Sequence, residues 1–177
     1  MQYWAMDWIE SAHRVPLTIN FGTGRSGMHH PIYGLVLHVT DGHPNFGGLR
    51  STWSHETNHV SAHFAIAQDG RLAQFVSLRD TAFAVGGDHQ QNDDQHWFSV
   101  ENVAHRGEVL TPAQIETNAR LLLWFNKYFG VPLQLAETRD SFGLGYHSMF
   151  HRAHPSCPGH RVIAQRSDIL LRVQGLL

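Results

Sequence analysis

Apolar positions along the chain fall into several short runs and one long periodic stretch. Ile32 to Val39 (IYGLVLHV) is a nearly unbroken apolar run rich in β-branched residues, which predicts a buried strand. Thr40-Asp41-Gly42 ends it in a turn. Gly47 to His59 mixes Trp53 with polar residues and reads as a short helix following a loop. Ser61 to Ala67 alternates, and Leu72 to Val76 resumes after Asp69-Gly70, so this pair predicts a β-hairpin. Residues 84–96 are polar with two glycines, a surface loop, and Trp97 to Val103 is a further strand carrying a carboxylate, Glu101.

The 3.6-residue period appears from Thr111 to Phe129. Ile115, Ala119, Leu122 and Phe125 share one face, Thr111 and Gln114 form a capping box around Pro112, and Gly130 closes the end. Residues 138–160 form a long loop rich in Gly, His and Pro, followed by a helix over 162–173. Strands and helices in this order predict an α/β domain with a mixed sheet packed by helices. Residues 1–31, with Gly22, Gly24, Gly27 and Pro31, form a loop-rich N-terminal extension packed on the domain that occupies 32–177.

Composition narrows the function. The 177 residues suit one domain, and a net charge of −2 argues against a nucleic-acid or anionic-membrane surface. The first eight residues lack a basic region and a long apolar run, so no secretory signal is read. Synthesis in the cytoplasm and a monomer are expected. One cysteine, Cys157, excludes an intrachain disulfide, whereas 15 histidines make a metal site worth seeking.

Four histidines and Cys157 crowd the stretch 147–160, and imidazole and thiolate are good zinc donors. Cys157 as a small buried hydrophobe with surface histidines around it is the competing reading. His38, near the end of an apolar strand, is costly there unless its ring nitrogens have partners. It is either a satisfied core histidine or one more ligand. His38, one loop histidine and Cys157 would complete the three-ligand set typical of catalytic zinc. Metal-assisted amide hydrolysis also needs a base, and Glu101 in its strand is the best-placed carboxylate. An exposed strand glutamate is the alternative.

The sequence resembles the amidase-2 family of N-acetylmuramoyl-L-alanine amidases, related to phage lysozyme-type amidases and animal peptidoglycan recognition proteins. The resemblance runs from about residue 32 to 170. It rests on LVLHVTDG at 35–42, VSAHFAIAQDGRLAQFV at 60–76, FSVENV at 98–103, TPAQIETNARLLLWF at 111–125 and GYHSMFHRAHPSCPG at 145–159, in that order. It implies a single α/β domain with a central mixed sheet flanked by helices. It also implies zinc-dependent hydrolysis of the amide between N-acetylmuramic acid and L-alanine of peptidoglycan or muropeptides. Carried over by position, His38, His147 and Cys157 are the zinc ligands, with His151 and His154 competing for the second place. Glu101 is the base, and His63 lines or supports the site. Trp53 and Trp97 are candidates to line a substrate groove, against a role in core packing.

The chain departs from the family where many members carry a histidine after the hairpin. Here it reads AFAVGG at 82–87, with His89 slightly later. Ala62 and Pro155 stand where some relatives place tyrosine and lysine, so His154 becomes the candidate for stabilising the oxyanion. The expected role is a lytic enzyme acting on the cell wall, either a phage endolysin or a secreted antibacterial effector with an immunity protein as partner. The alternatives are a muropeptide-recycling amidase, a non-catalytic peptidoglycan-binding domain, and a four-ligand structural zinc site.

Overall fold

The apolar runs of the sequence become the central strands of a six-stranded sheet. The computed structural model describes residues 7–24, 31–42, 45–85, 93–150 and 156–177. In chain order these form strands β1 (His13–Arg14), β2 (Phe21–Gly22) and β3 (Gly34–Val39), helix α1 (Phe46–Trp53), and strands β4 (Phe64–Ile66), β5 (Leu72–Gln74) and β6 (Thr81–Ala82). Helix α2 (Asp93–His96), β7 (Trp97–Asn102), α3 (Pro112–Phe129), β8 (Gly143–Tyr146), a 3₁₀ turn (His147–Met149) and α4 (His160–Gln174) follow. The sheet order is β1-β5-β4-β7-β3-β8, and the β4–β5 hairpin is its antiparallel pair. The pairs β1–β5, β4–β7, β7–β3 and β3–β8 are parallel. Parallel strands are covered on both faces, which is why all six residues of β3 are buried and read as one apolar run.

Side-chain alternation divides the sheet into two faces. Leu35, Leu37 and Val39 of β3, Phe64 and Ile66 of β4, and Phe98 and Val100 of β7 meet Leu122 and Phe125 of α3 and Ile169 and Val173 of α4. On the other face Ala65 and Ala73 pack under Leu49 and Trp53 of α1. Helix α1 therefore covers the β4–β5 side of this second face. Helix α3 starts where the sequence predicts: Thr111 Oγ1 accepts from Gln114 N (3.1 Å) and Gln114 Oε1 accepts from Thr111 N (3.0 Å). Gly130 closes it with φ 70°.

Several expectations shift. The predicted loop 138–160 contains β8, a strand whose two glycines give it little intrinsic β preference. Tertiary contact decides it: a Cβ on Gly34 would lie 1.8 Å from Gly143 O, so the missing side chain of Gly34 lets β3 and β8 approach, while a Cβ on Gly143 would lie 2.2 Å from Gln134 O. The polar stretch 84–96 ends in α2, and the first helix spans 46–53 rather than 47–59. Within residues 7–24 the N-terminal segment contributes two short strands. β1 adds an edge to the sheet, and buried Gln74 holds it, accepting from Ile9 N (2.8 Å) and donating to Asp7 O (2.9 Å). No helix among the described residues is long and apolar enough to cross a membrane.

Candidate metal centre

His38 and Glu101 stand side by side, paired in register on adjacent parallel strands β3 and β7. Both side chains lie on the sheet face opposite α3 and α4, close to the strands' C-terminal ends, where open α/β sheets place ligands. On the other flank of β3, Tyr146 of β8 pairs with Leu37, so the next residue, His147, arrives level with His38. The two imidazole rings lie 4.4 Å apart between centroids, at 45°. Cys157 comes from the segment before α4, with its Sγ 4.0 Å from His38 Nδ1. Its carbonyl accepts from Ser148 N (2.9 Å), tying it to the 3₁₀ turn that carries His147.

One donor atom from each of His38, His147 and Cys157 lies within 4.8 Å of the others, a group that could hold a metal ion. Two imidazoles and a thiol match the donor chemistry of zinc, and three protein ligands leave a place for water. The Glu101 carboxylate fits the same picture. Its Oε2 is shut off from solvent without a hydrogen-bond partner among the described residues. Burial pushes its carboxyl up to about 8. Burial likewise pushes the Cys157 thiol up to about 12, the Glu101 charge adding to it, while the Val39 N–H and the Arg106 cation oppose. Burial therefore favours the neutral forms of both groups, and a divalent cation bound beside them would favour the ionised ones.

The side chain of Asn102, next to Glu101, points to the helical face. It donates from Nδ2 to His38 O (3.4 Å) and accepts at Oδ1 from Asn118 Nδ2 (2.8 Å) of α3. Gln114 of α3 donates to the carbonyls of Val103 (3.1 Å) and Ile66 (3.3 Å). A buried row of amides thus fixes α3 against the strand ends that carry His38 and Glu101.

The residues expected to line a groove sit elsewhere. His63 is fully enclosed, with Nδ1 3.1 Å from Ser99 Oγ and Nε2 3.3 Å from Asp80 O. It neighbours Ser99, two residues before Glu101 on β7. Trp53 and Trp97 are also core residues. Trp53 packs edge-on against Phe75 (4.8 Å) and Trp97 against Phe150 (5.4 Å), in keeping with the packing role that stood against a groove-lining one. His154, with its competitor His151, and His89 lie outside the described residues.

Three residues near the cluster escaped the sequence reading: Asp41, Arg106 and Ser156. Asp41 was legible only as part of a turn, and nothing local marks Arg106, which becomes their neighbour only through the fold. The buried Arg166 of α4 was hidden for the same reason. A lone arginine in an amphipathic helix ordinarily faces water.

Comparison with known proteins gives two kinds of likeness. A family model described as N-acetylmuramoyl-L-alanine amidase matches residues 28–160. Among solved structures, a selenomethionine derivative of AmpD is similar at a TM-score of 0.70 and 19% identity, covering 92% of this chain and 96% of that one. PlyL is similar at 0.67 and 17%, covering 92% and 96%. The hydrolase AmiA of Staphylococcus aureus, solved with its ligand, is similar at 0.66 and 17%, covering 94% and 84%. These low identities speak for the fold. No curated protein sequence matches.

Proposed function

This chain belongs to the amidase-2 family of N-acetylmuramoyl-L-alanine amidases, and from that premise we propose that it hydrolyses the N-acetylmuramic acid–L-alanine amide of peptidoglycan in a zinc-dependent reaction. The observation that carries the reading is the convergence of His38, His147 and Cys157 beside Glu101, the carboxylate in register with His38. A zinc ion held by the three would supply Lewis acidity, making a water acidic and an amide carbonyl electrophilic.

The chain's own residues do the rest. Cys157 binds as thiolate and gives up its proton, while His38 is oriented through the backbone that Asn102 holds. Glu101 takes a proton from the attacking water. Its burial raises its basicity toward that task, and the same carboxyl then protonates the alanine nitrogen as the amide breaks. His154 is assigned the stabilisation of the oxyanion. We assign the enzyme a lytic role on the cell wall, with peptidoglycan or its muropeptides as substrate.

The test is digestion of purified sacculi and of soluble muropeptides, with products read by mass spectrometry. Wild type is expected to release stem peptides with a free L-alanine amino terminus. Chelation should abolish release and zinc should restore it. Glu101→Gln should lose about a hundredfold or more in rate, the usual worth of a general base. Cleavage of soluble muropeptides alone would move the role to recycling. Failure of the zinc-loaded enzyme on both substrates would leave a binding domain.

A further inference from the structure

Asp41, Arg106 and Ser156 tie together the segments that carry His38, Glu101 and Cys157. The backbone N–H of Arg106 donates to Asp41 Oδ1 (3.2 Å), and its Nε pairs with Asp41 Oδ2 (2.5 Å). From the same guanidinium, Nη1 donates to Ser156 Oγ (3.0 Å). Asp41 lies three residues beyond His38, Arg106 five beyond Glu101, and Ser156 immediately before Cys157. The exits of β3 and β7 run on together past the sheet, with Thr40 N donating to Asn102 O (3.0 Å) and Asp41 N to Ala104 O (3.0 Å). Asp41 itself takes a left-handed backbone (φ 46°), a conformation that Asp tolerates better than most residues.

We propose that Asp41, Arg106 and Ser156 form a clasp that positions Cys157 for metal binding, an inference that rests on the metal-dependent reading above. His38 is fixed by its strand and His147 by the end of another. Cys157 sits in neither. Its segment is held on one side by the Ser148 N–H on its carbonyl and on the other by the guanidinium on Ser156. A planar fork can meet a carboxylate and a hydroxyl at once, which a lysine ammonium on its flexible stem does poorly. The Arg106 side chain is 54% exposed and that of Asp41 34%. An ion pair so open to water adds little to global stability, so the consequence of losing it falls on the geometry of the site. Arg106 is thus a positioning residue: it acts through Cys157.

The experiment uses the full chain and cobalt(II) as the metal probe, following the thiolate-to-cobalt charge-transfer band. Cys157→Ser, which removes the thiolate, identifies the band. Arg106→Ala is expected to raise the cobalt dissociation constant about tenfold and weaken the band, the usual cost of losing a residue that orients a ligand. Arg106→Lys should fall short of wild type. Ser156→Ala should reproduce part of the loss, and the double variant Arg106→Ala/Ser156→Ala should be no worse than Arg106→Ala alone, because the two act as one unit. Metal-free melting should be unchanged throughout.

Affinity and band equal to wild type in Arg106→Ala would overturn the clasp while leaving the metal site standing. So would a fall in metal-free melting for Arg106→Ala with no metal effect in Ser156→Ala. A wild type without any Cys157-dependent band would remove the metal reading, and the clasp with it.

Discussion

Arg166 offers the sharpest test of how the fold holds the site. Its side chain, 4% exposed, donates from Nη1 to Ala136 O (2.8 Å) and Leu144 O (3.1 Å), and from Nη2 to both Glu137 carboxylate oxygens. The guanidinium also lies 4.5 Å over the ring of Tyr146, the residue before His147. It thus joins α4, which follows Cys157, to β8, which leads into His147. In Arg166→Met, Leu144 O keeps the Ala136 N–H (3.0 Å), but Ala136 O loses its arginine donor inside the protein. That orphaned carbonyl costs about 1–3 kcal/mol, and the lost cation–π contact about 1 kcal/mol. The Glu137 pair adds little, because Glu137 is 60% exposed. Removing a buried charge returns part of its desolvation cost, so the net loss is about 2–3 kcal/mol, a melting shift of roughly 5–10 °C for a chain of this size. Urea and thermal unfolding in the presence of chelator measure it free of metal linkage. Arg166→Lys should fall between, since one ammonium does not reach all of these acceptors and Ile163 O, which accepts from Nε (3.1 Å). An Arg166→Met protein as stable as wild type, or more so, would refute the reasoning.

Two further outcomes follow from particular contacts. Gly34→Ala places a Cβ 1.8 Å from Gly143 O and 2.9 Å from the Trp97 ring, with backbone on the clashing side. It should cost about 3 kcal/mol or more by forcing β3 and β8 apart, read as lost soluble yield or melting temperature; wild-type stability would count against the close approach. Glu116 joins Arg120 of its own helix and Arg172 of α4, and these partners hold its carboxyl below its ordinary value. A folded-state value below the unfolded one means stability present above the unfolded value and lost as pH falls through the folded one. The difference between wild type and Glu116→Gln should therefore be small, present at neutral pH, reduced by salt, and absent in acid. A difference that persists in acid would show another cause.

Much of the fold was legible because it is written locally. The buried run of β3, the hairpin at Asp69-Gly70 and the capped helix α3 each carry period, turn residues or caps that act over a few positions. Where the signal is long-range, the local reading went astray. β8 looks like loop because its glycines matter only through tertiary contacts, Gly143 against Gln134 and Gly145 against Met149 and Trp97. Trp53 and Trp97 favour core over groove already in the sequence, and both are buried in the fold. His63 looked chemical, yet Ser99 and two backbone groups absorb its ring nitrogens.

The sequence by itself determined the types of donor that can converge, His38 at a strand end, the histidine-rich stretch with Cys157, and Glu101 within a strand, because spacing and side-chain chemistry are local properties. Only the tertiary structure decided that Glu101 stands in register with His38 and that β8 delivers His147 beside it. It alone brought Arg106 across to Asp41 and Ser156. The reason is physical: strand register and loop contact join residues tens of positions apart, through hydrogen bonds and close packing that no window along the chain contains.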